Sequence, residues 1–185
     1  MAETPSTMLA LGTAMPRFSL TNAVDGTAWS SAQTAGSKGT LVMFVCNHCP
    51  YVVHIRPKLV EVAHHALDLG LTVVAINSNS VVSHPQDGPK HMKELALREK
   101  WRFPFLFDES QDVARAFDAA CTPDLYVFDA ADKLAYRGQF DAARPGNGRP
   151  VTGADLRAAI DAVAAGRPVS GEQRASIGCN IKWAR

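Results

Sequence analysis

No long apolar segment occurs in this chain. Its most apolar stretches, such as 71–76, run to about six residues, far short of the ~20 that a membrane-spanning helix needs. Neither sign of charge dominates, because Lys+Arg 19 face Asp+Glu 18 for a formal net charge of +1. The basic footprint that nucleic acid or an anionic membrane surface would require is missing, so neither is expected as a partner. Repeats and low-complexity tracts are absent as well. Cysteine is scarce, four in 185 residues, which excludes a disulfide-stapled mini-domain. With 46% hydrophobic residues the chain has the material for a sizeable core, which excludes a disordered one. One globular domain over 1–185 is expected, with loose tails at 1–10 and 167–185. Residues 1–7 show no basic patch leading into an apolar core. No export signal is therefore read, and a reducing cytoplasm is the expected setting. There, cysteines serve chemistry or metals more than staples.

What is present reads as alternating strands and helices. Phe18 to Leu20 and the stretch around Trp29 flank the turn dipeptide Asp25-Gly26, which predicts an amino-terminal hairpin. The apolar run 40–45 predicts a central buried strand. Then the period changes: Val52, Ile55, Leu59, Val62, Ala66 and Leu69 recur at steps of three and four, one face of a helix that Gly70 ends. Pro57 lies inside it. A second strand at 71–77 implies a right-handed parallel crossover. A polar loop spans 78–89, a helix 90–101 and a short strand 103–107. Ser110 is placed to cap a helix carrying Val113, Phe117 and Ala120. Strands at 125–128 and 134–137 form a hairpin at the sheet edge, and Thr152 caps a last helix ending near Gly166. The fold class is α/β: a mixed central sheet flanked by helices, with an N-terminal β-hairpin extension and a C-terminal tail.

Cys46-Asn47-His48-Cys49 stands between the central strand and the long helix. A cysteine there sits among unpaired backbone N–H groups at the positive end of the helix dipole, and both favour the thiolate. A second cysteine three residues on can close a small disulfide ring. Attack by one sulfur and resolution by the other is thiol–disulfide exchange. Cys46 is expected to be the exposed attacker, with a pKa below that of an ordinary cysteine, and Cys49 the resolver. His48 is expected to tune the thiolate, or to be a solvated first-turn residue. No metal is expected, because Cys121 and Cys179 are isolated singles where zinc would want a second ligand pair. His64, His84 and His91 read as surface residues.

The layout resembles thioredoxin-like redoxins of the alkyl hydroperoxide reductase and thiol-specific antioxidant superfamily. The resemblance rests on 16–20 (Pro-Arg-Phe-Ser-Leu), 44–51 (Phe-Val-Cys-Asn-His-Cys-Pro-Tyr), Thr122-Pro123-Asp124 with 127–129, and the tail 176–183. It implies a thioredoxin-like fold, a cis-proline at Pro123 facing the two cysteines, and a Thr122 backbone that orients a disulfide partner by strand addition. Tyr51 is expected on the site rim. Two departures stand out. Peroxide-reducing members place proline and threonine where this chain has Gly39 and Met43. Thioredoxins and their tethered relatives place a buried carboxylate where this chain has Thr40 or Val52.

The expected function is therefore a thiol–disulfide oxidoreductase without organic cofactor. Its substrate would be a protein disulfide or a low-molecular-weight thiol or disulfide, served by an unidentified electron donor. A peroxiredoxin-like peroxidase and a Cu(I)-binding thioredoxin-fold module are the alternatives. The second prefers cysteines four apart, not three. Cys121 and Cys179 are candidate accessory thiols, or inert core residues.

Overall fold

In the computed structural model, which describes residues 3–184, the apolar run at 40–45 becomes the middle of the molecule. The amino-terminal third holds β1 (Glu3–Pro5), β2 (Ser19–Asn22), β3 (Ala28–Ser30) and β4 (Gly39–Phe44). The middle holds α1 (Pro50–Asp68), β5 (Thr72–Asn77), α2 (Pro89–Arg98), β6 (Phe105–Phe107) and α3 (Asp112–Ala116). The remainder holds β7 (Cys121–Thr122), β8 (Asp124–Asp129), β9 (Leu134–Arg137), α4 (Ala154–Ala164) and β10 (Ile177–Asn180). Seven strands form one mixed sheet in the order β3-β2-β6-β5-β4-β8-β9. β4, β5 and β6 run parallel, while β8 pairs with β4 antiparallel. The expected hairpin is present, with Leu20 opposite Trp29, and β2 also pairs with β6, so the hairpin extends the main sheet.

Alternation along β4 divides the core. Leu41 and Met43 face the layer made by Val52, Ile55 and Leu59 of α1, Met92 of α2 and Leu156 of α4. Val42 and Phe44 face the opposite layer, where Phe117 and Tyr126 meet Phe44 edge to face at 5.4 and 5.9 Å. α1 starts at Pro50, whose fixed φ suits the first helical position, and is followed by Gly70 at φ +94. No described helix is long and apolar enough to cross a membrane.

Two expectations fail here. The segments 1–10 and 167–185 are not loose throughout: β1 and β10 pair antiparallel, Glu3 opposite Cys179, and β10 in turn pairs with β7. Residues 1, 2 and 185 lie outside the described residues. Strands of three and four residues are too short to show a period, which is why they read as coil. The helix expected to carry Ala120 stops at Ala116, because Asp118 turns left-handed at φ +51. Its start is held less by Ser110 than by the buried Asp108 carboxylate, which accepts the Ala114 amide at 2.9 Å.

Candidate active site

The carboxyl ends of β4, β5 and β6 converge on one side of the sheet, the place where open α/β sheets put their ligands. Cys46 lies two residues beyond β4, and Cys49 is the residue that caps α1. The peptide bond between Thr122 and Pro123 is cis, as the resemblance implied. Thr122 is the hub. Its hydroxyl lies 3.6 Å from the Cys46 sulfur, and its carbonyl accepts the Cys49 S–H at 3.1 Å.

Burial corrects one expectation about Cys46. It is only 1% exposed and Cys49 0%, so neither sulfur is open to solvent in this state. The acidity is also distributed differently. The two thiols interact with each other, and that interaction separates their titrations. It pulls Cys49 down to about 4 against the cost of burial, with further help from Cys179, Thr122 and the Val52 amide of the first helical turn. It pushes Cys46 well above the ordinary thiol range, and burial and the charge of Asp87 add to this. The pair thus loses its first proton easily and its second with difficulty.

His48 does not act on Cys46 alone. Its Nδ1–H donates to the Asp87 carboxylate at 2.7 Å, and the Cys46 sulfur is 3.8 Å from the same nitrogen. Nε2 is buried without a hydrogen-bond partner among the described residues. The ring stacks on His84 at 4.8 Å, so His84 is part of this site and not a detached surface residue. Asp87 is the group that reading the sequence missed. It is fully buried in a short turn, Pro85–Asp87, inside the segment read as a polar loop. Besides His48, its carboxylate accepts from the Asn47 amide at 2.9 Å and Asn79 Nδ2 at 2.8 Å. Thr40 and Val52 leave the usual carboxylate positions empty, and Asp87 supplies a buried carboxylate from elsewhere. Asn77 and Asn79 at the end of β5 were the available signal, since buried amides there need acceptors.

Burial pushes the Asp87 pKa up, but hydrogen bonds from His48 and Asn79, the charge of His48 and the Asn47 amide outweigh it. The acid is held below the usual 3.8. A carboxylate depressed by folding stabilises the protein fully above its unfolded value, and that contribution is lost as pH falls through the folded one. Asp87→Asn should therefore lower stability by about 1–3 kcal/mol at neutral pH. The gap to wild type should shrink as pH drops below 3.8. Urea unfolding of both proteins across that range measures this; a gap independent of pH would contradict it.

Thr122 corrects a second expectation. It already stands opposite Cys179 in the β7–β10 ladder, so a partner strand adding to its backbone would compete with β10. Tyr51 does lie at a rim. Its hydroxyl donates to Glu3, and its ring lines a cleft with Pro123, Phe140 and Ile177. Cys121 points elsewhere, its S–H toward the Pro123 carbonyl at 3.5 Å. Cys46 Sγ, His48 Nδ1 and an Asp87 oxygen all lie within 4.8 Å of one another, a set that could hold a metal ion, although the 2.7 Å between His48 and Asp87 is a hydrogen-bond distance.

Residues 11–137 match the AhpC/TSA family. No curated protein matches the chain. Among solved structures, an uncharacterised conserved protein from Geobacillus kaustophilus is similar at 48% identity over 100% of this chain and 97% of its own, with a TM-score of 0.96. A hypothetical protein from Sinorhizobium meliloti is similar at 46% identity over 98% of both chains, with a TM-score of 0.95. A thiol:disulfide interchange protein of the thioredoxin family from Chlorobium tepidum has 22% identity. It matches 84% of this chain and 98% of its own at a TM-score of 0.64, a likeness of fold. The fold is thioredoxin-like.

Proposed function

The chain belongs to the AhpC/TSA family, and from that premise we propose that it is a thiol–disulfide oxidoreductase working through Cys46 and Cys49. The observation that carries this reading is the two sulfurs gathered on Thr122 beside the cis Pro123, one 3.6 Å from its hydroxyl and the other 3.1 Å from its carbonyl oxygen. Once the pair has lost one proton, the other is shared between the two sulfurs. The acidity favours the charge on Cys49, so attack by Cys46 requires the remaining proton to pass from Cys46 to Cys49. Cys49 then donates it to the Thr122 carbonyl, while the Thr122 hydroxyl and the His48 ring face the charge left on Cys46.

Cys46 then attacks one sulfur of a protein or low-molecular-weight disulfide, and one thiolate leaves. Cys49 loses its proton and attacks Cys46, releasing the second thiolate. The substrate is reduced by two electrons to two thiols and the pair becomes a disulfide. A thiol donor reverses the sequence, and no organic cofactor is needed because electrons pass only between sulfurs. Burial of Cys46 makes local opening around His48 and His84 a condition of each encounter. Peroxide is not the proposed substrate, since Gly39 and Met43 bring neither the proline nor the hydroxyl that peroxide activation uses.

Equilibration with mixtures of reduced and oxidised glutathione tests the reading. A single two-electron transition of the Cys46/Cys49 pair is expected, with a tenfold change in equilibrium for each ~30 mV. A pair that remains dithiol in excess oxidised glutathione would overturn it.

A further inference from the structure

The Cys49 sulfur has two sulfur neighbours. Besides Cys46, Cys179 lies near enough to shift its acidity. The cause is strand register: Cys179 stands opposite Thr122, and the Thr122 carbonyl lies 3.1 Å from the Cys49 sulfur. Gly178 permits so close an approach, because a Cβ there would sit 2.0 Å from the Thr122 carbonyl oxygen. Cys46, Cys49 and Cys179 belong to one buried cluster, none more than 2% exposed. Cys121 is different. Its S–H is directed at the Pro123 carbonyl at 3.5 Å; burial pushes both its thiol and that of Cys179 above the ordinary range, so placement and not acidity separates the two.

Cys49 is therefore the middle one of three sulfurs. In thiol–disulfide exchange the attacked sulfur lies between the incoming and the departing one. Once Cys46 and Cys49 are joined, Cys179 is the remaining thiol that neighbours Cys49.

We propose that Cys179 is a third redox thiol, which attacks Cys49 in the Cys46–Cys49 disulfide to form Cys49–Cys179 and release Cys46. The step rests on the exchange chemistry proposed above. The 46–49 bond breaks as the 49–179 bond forms, Cys179 gives up a proton and the Cys46 sulfur takes one up, so no net oxidation occurs. The oxidising equivalent is then held between the cap of α1 and β10, and Cys46 is a thiol again. Cys121 takes no part.

Peptide mapping of the oxidised full-length chain tests this. Tryptic cleavage after Lys38 and Lys58 leaves Cys46 and Cys49 on one peptide, Arg56 being shielded by Pro57, while Cys179 lies on 175–182. An internal 46–49 bond joins no peptides; a 49–179 bond joins two, and fragmentation of the joined pair between residues 46 and 49 distinguishes it from a 46–179 bond. Wild type and Cys46→Ser are treated with oxidised glutathione, thiols are blocked, and the digests are weighed without reduction. Joined peptides should dominate in Cys46→Ser, where oxidised glutathione takes two electrons from Cys49 and Cys179. They should form a minority beside the internal bond in wild type, growing as pH is raised. Cys46→Ala repeats the measurement should the serine variant not fold. Cys49 and Cys179 left as separate thiols or glutathione adducts in both variants overturns the proposal. So does a wild type whose internal bond never yields joined peptides, and that result leaves the exchange reading intact. A wild type with no 46–49 bond overturns the exchange reading and this step with it.

Discussion

Cys46→Ser should abolish turnover of a disulfide substrate, by at least about 10³-fold, equivalent to roughly 4 kcal/mol of barrier. A hydroxyl is not ionised at neutral pH and cannot replace a thiolate as the nucleophile toward sulfur. The loss should be catalytic and not structural. Serine is nearly the size of cysteine, and its hydroxyl meets the Thr122 hydroxyl and the His48 ring that now face the sulfur. Cys49→Ser should fail in a diagnostic way, accumulating a mixed disulfide between Cys46 and substrate. Cys179 neighbours Cys49, the sulfur that this variant removes. Reduction of a chromogenic disulfide, followed with both variants, measures the loss. Mass analysis of the quenched protein identifies the trapped adduct. Turnover retained in Cys46→Ser would remove that sulfur from the mechanism.

Gly178→Ala should give the largest stability change of any single methyl group added near the site. The new Cβ would lie 2.0 Å from the Thr122 carbonyl oxygen, 2.7 Å from its carbon and 3.2 Å from Pro123 Cδ. Two of those three atoms are backbone, so no side-chain rotation relieves the clash. β10 must lift from β7 and carry Cys179 with it. Overpacking of this kind costs about 3 kcal/mol or more. At ~2–4 °C per kcal/mol for a chain of this size, Tm should fall by roughly 6–12 °C. Exchange activity should fall too, because Thr122 touches both sulfurs. A variant melting within about 2 °C of wild type would mean that the two strands are not in the described contact.

Much of the scaffold was legible beforehand because it is periodic. The apolar run at 40–45 and the three-and-four spacing from Val52 to Leu69 placed β4, α1 and β5 to within two or three residues of the structure. That alone put Cys46 and Cys49 at the strand–helix junction. Exposure was not legible. Spacing says where a sulfur stands along the chain, but His48 and Thr122 decide what covers it, and Thr122 is 76 residues from Cys46. Asp87 was hidden for a similar reason: it sits in a three-residue turn with no period, 39 residues from the His48 that it holds. Cys121 and Cys179 could not be told apart from their spacings, since each stands alone. Register separates them, because a strand that pairs Cys179 with Thr122 brings one thiol to Cys49 and leaves the other facing Pro123.

The small sheet β1-β10-β7 joins the first described strand, the last one and the residues just before Pro123. A ribosome delivers these pieces in order, so Glu3 must wait for Cys179 before its ladder can form. Contacts this distant along the chain carry the largest loop-closure cost and form late. The nascent protein therefore emerges with Cys46 and Cys49 already made and Thr122 still without its β10 partner. For that interval the two thiols are less shielded than they will ever be again, and they are open to whatever oxidant the surroundings hold.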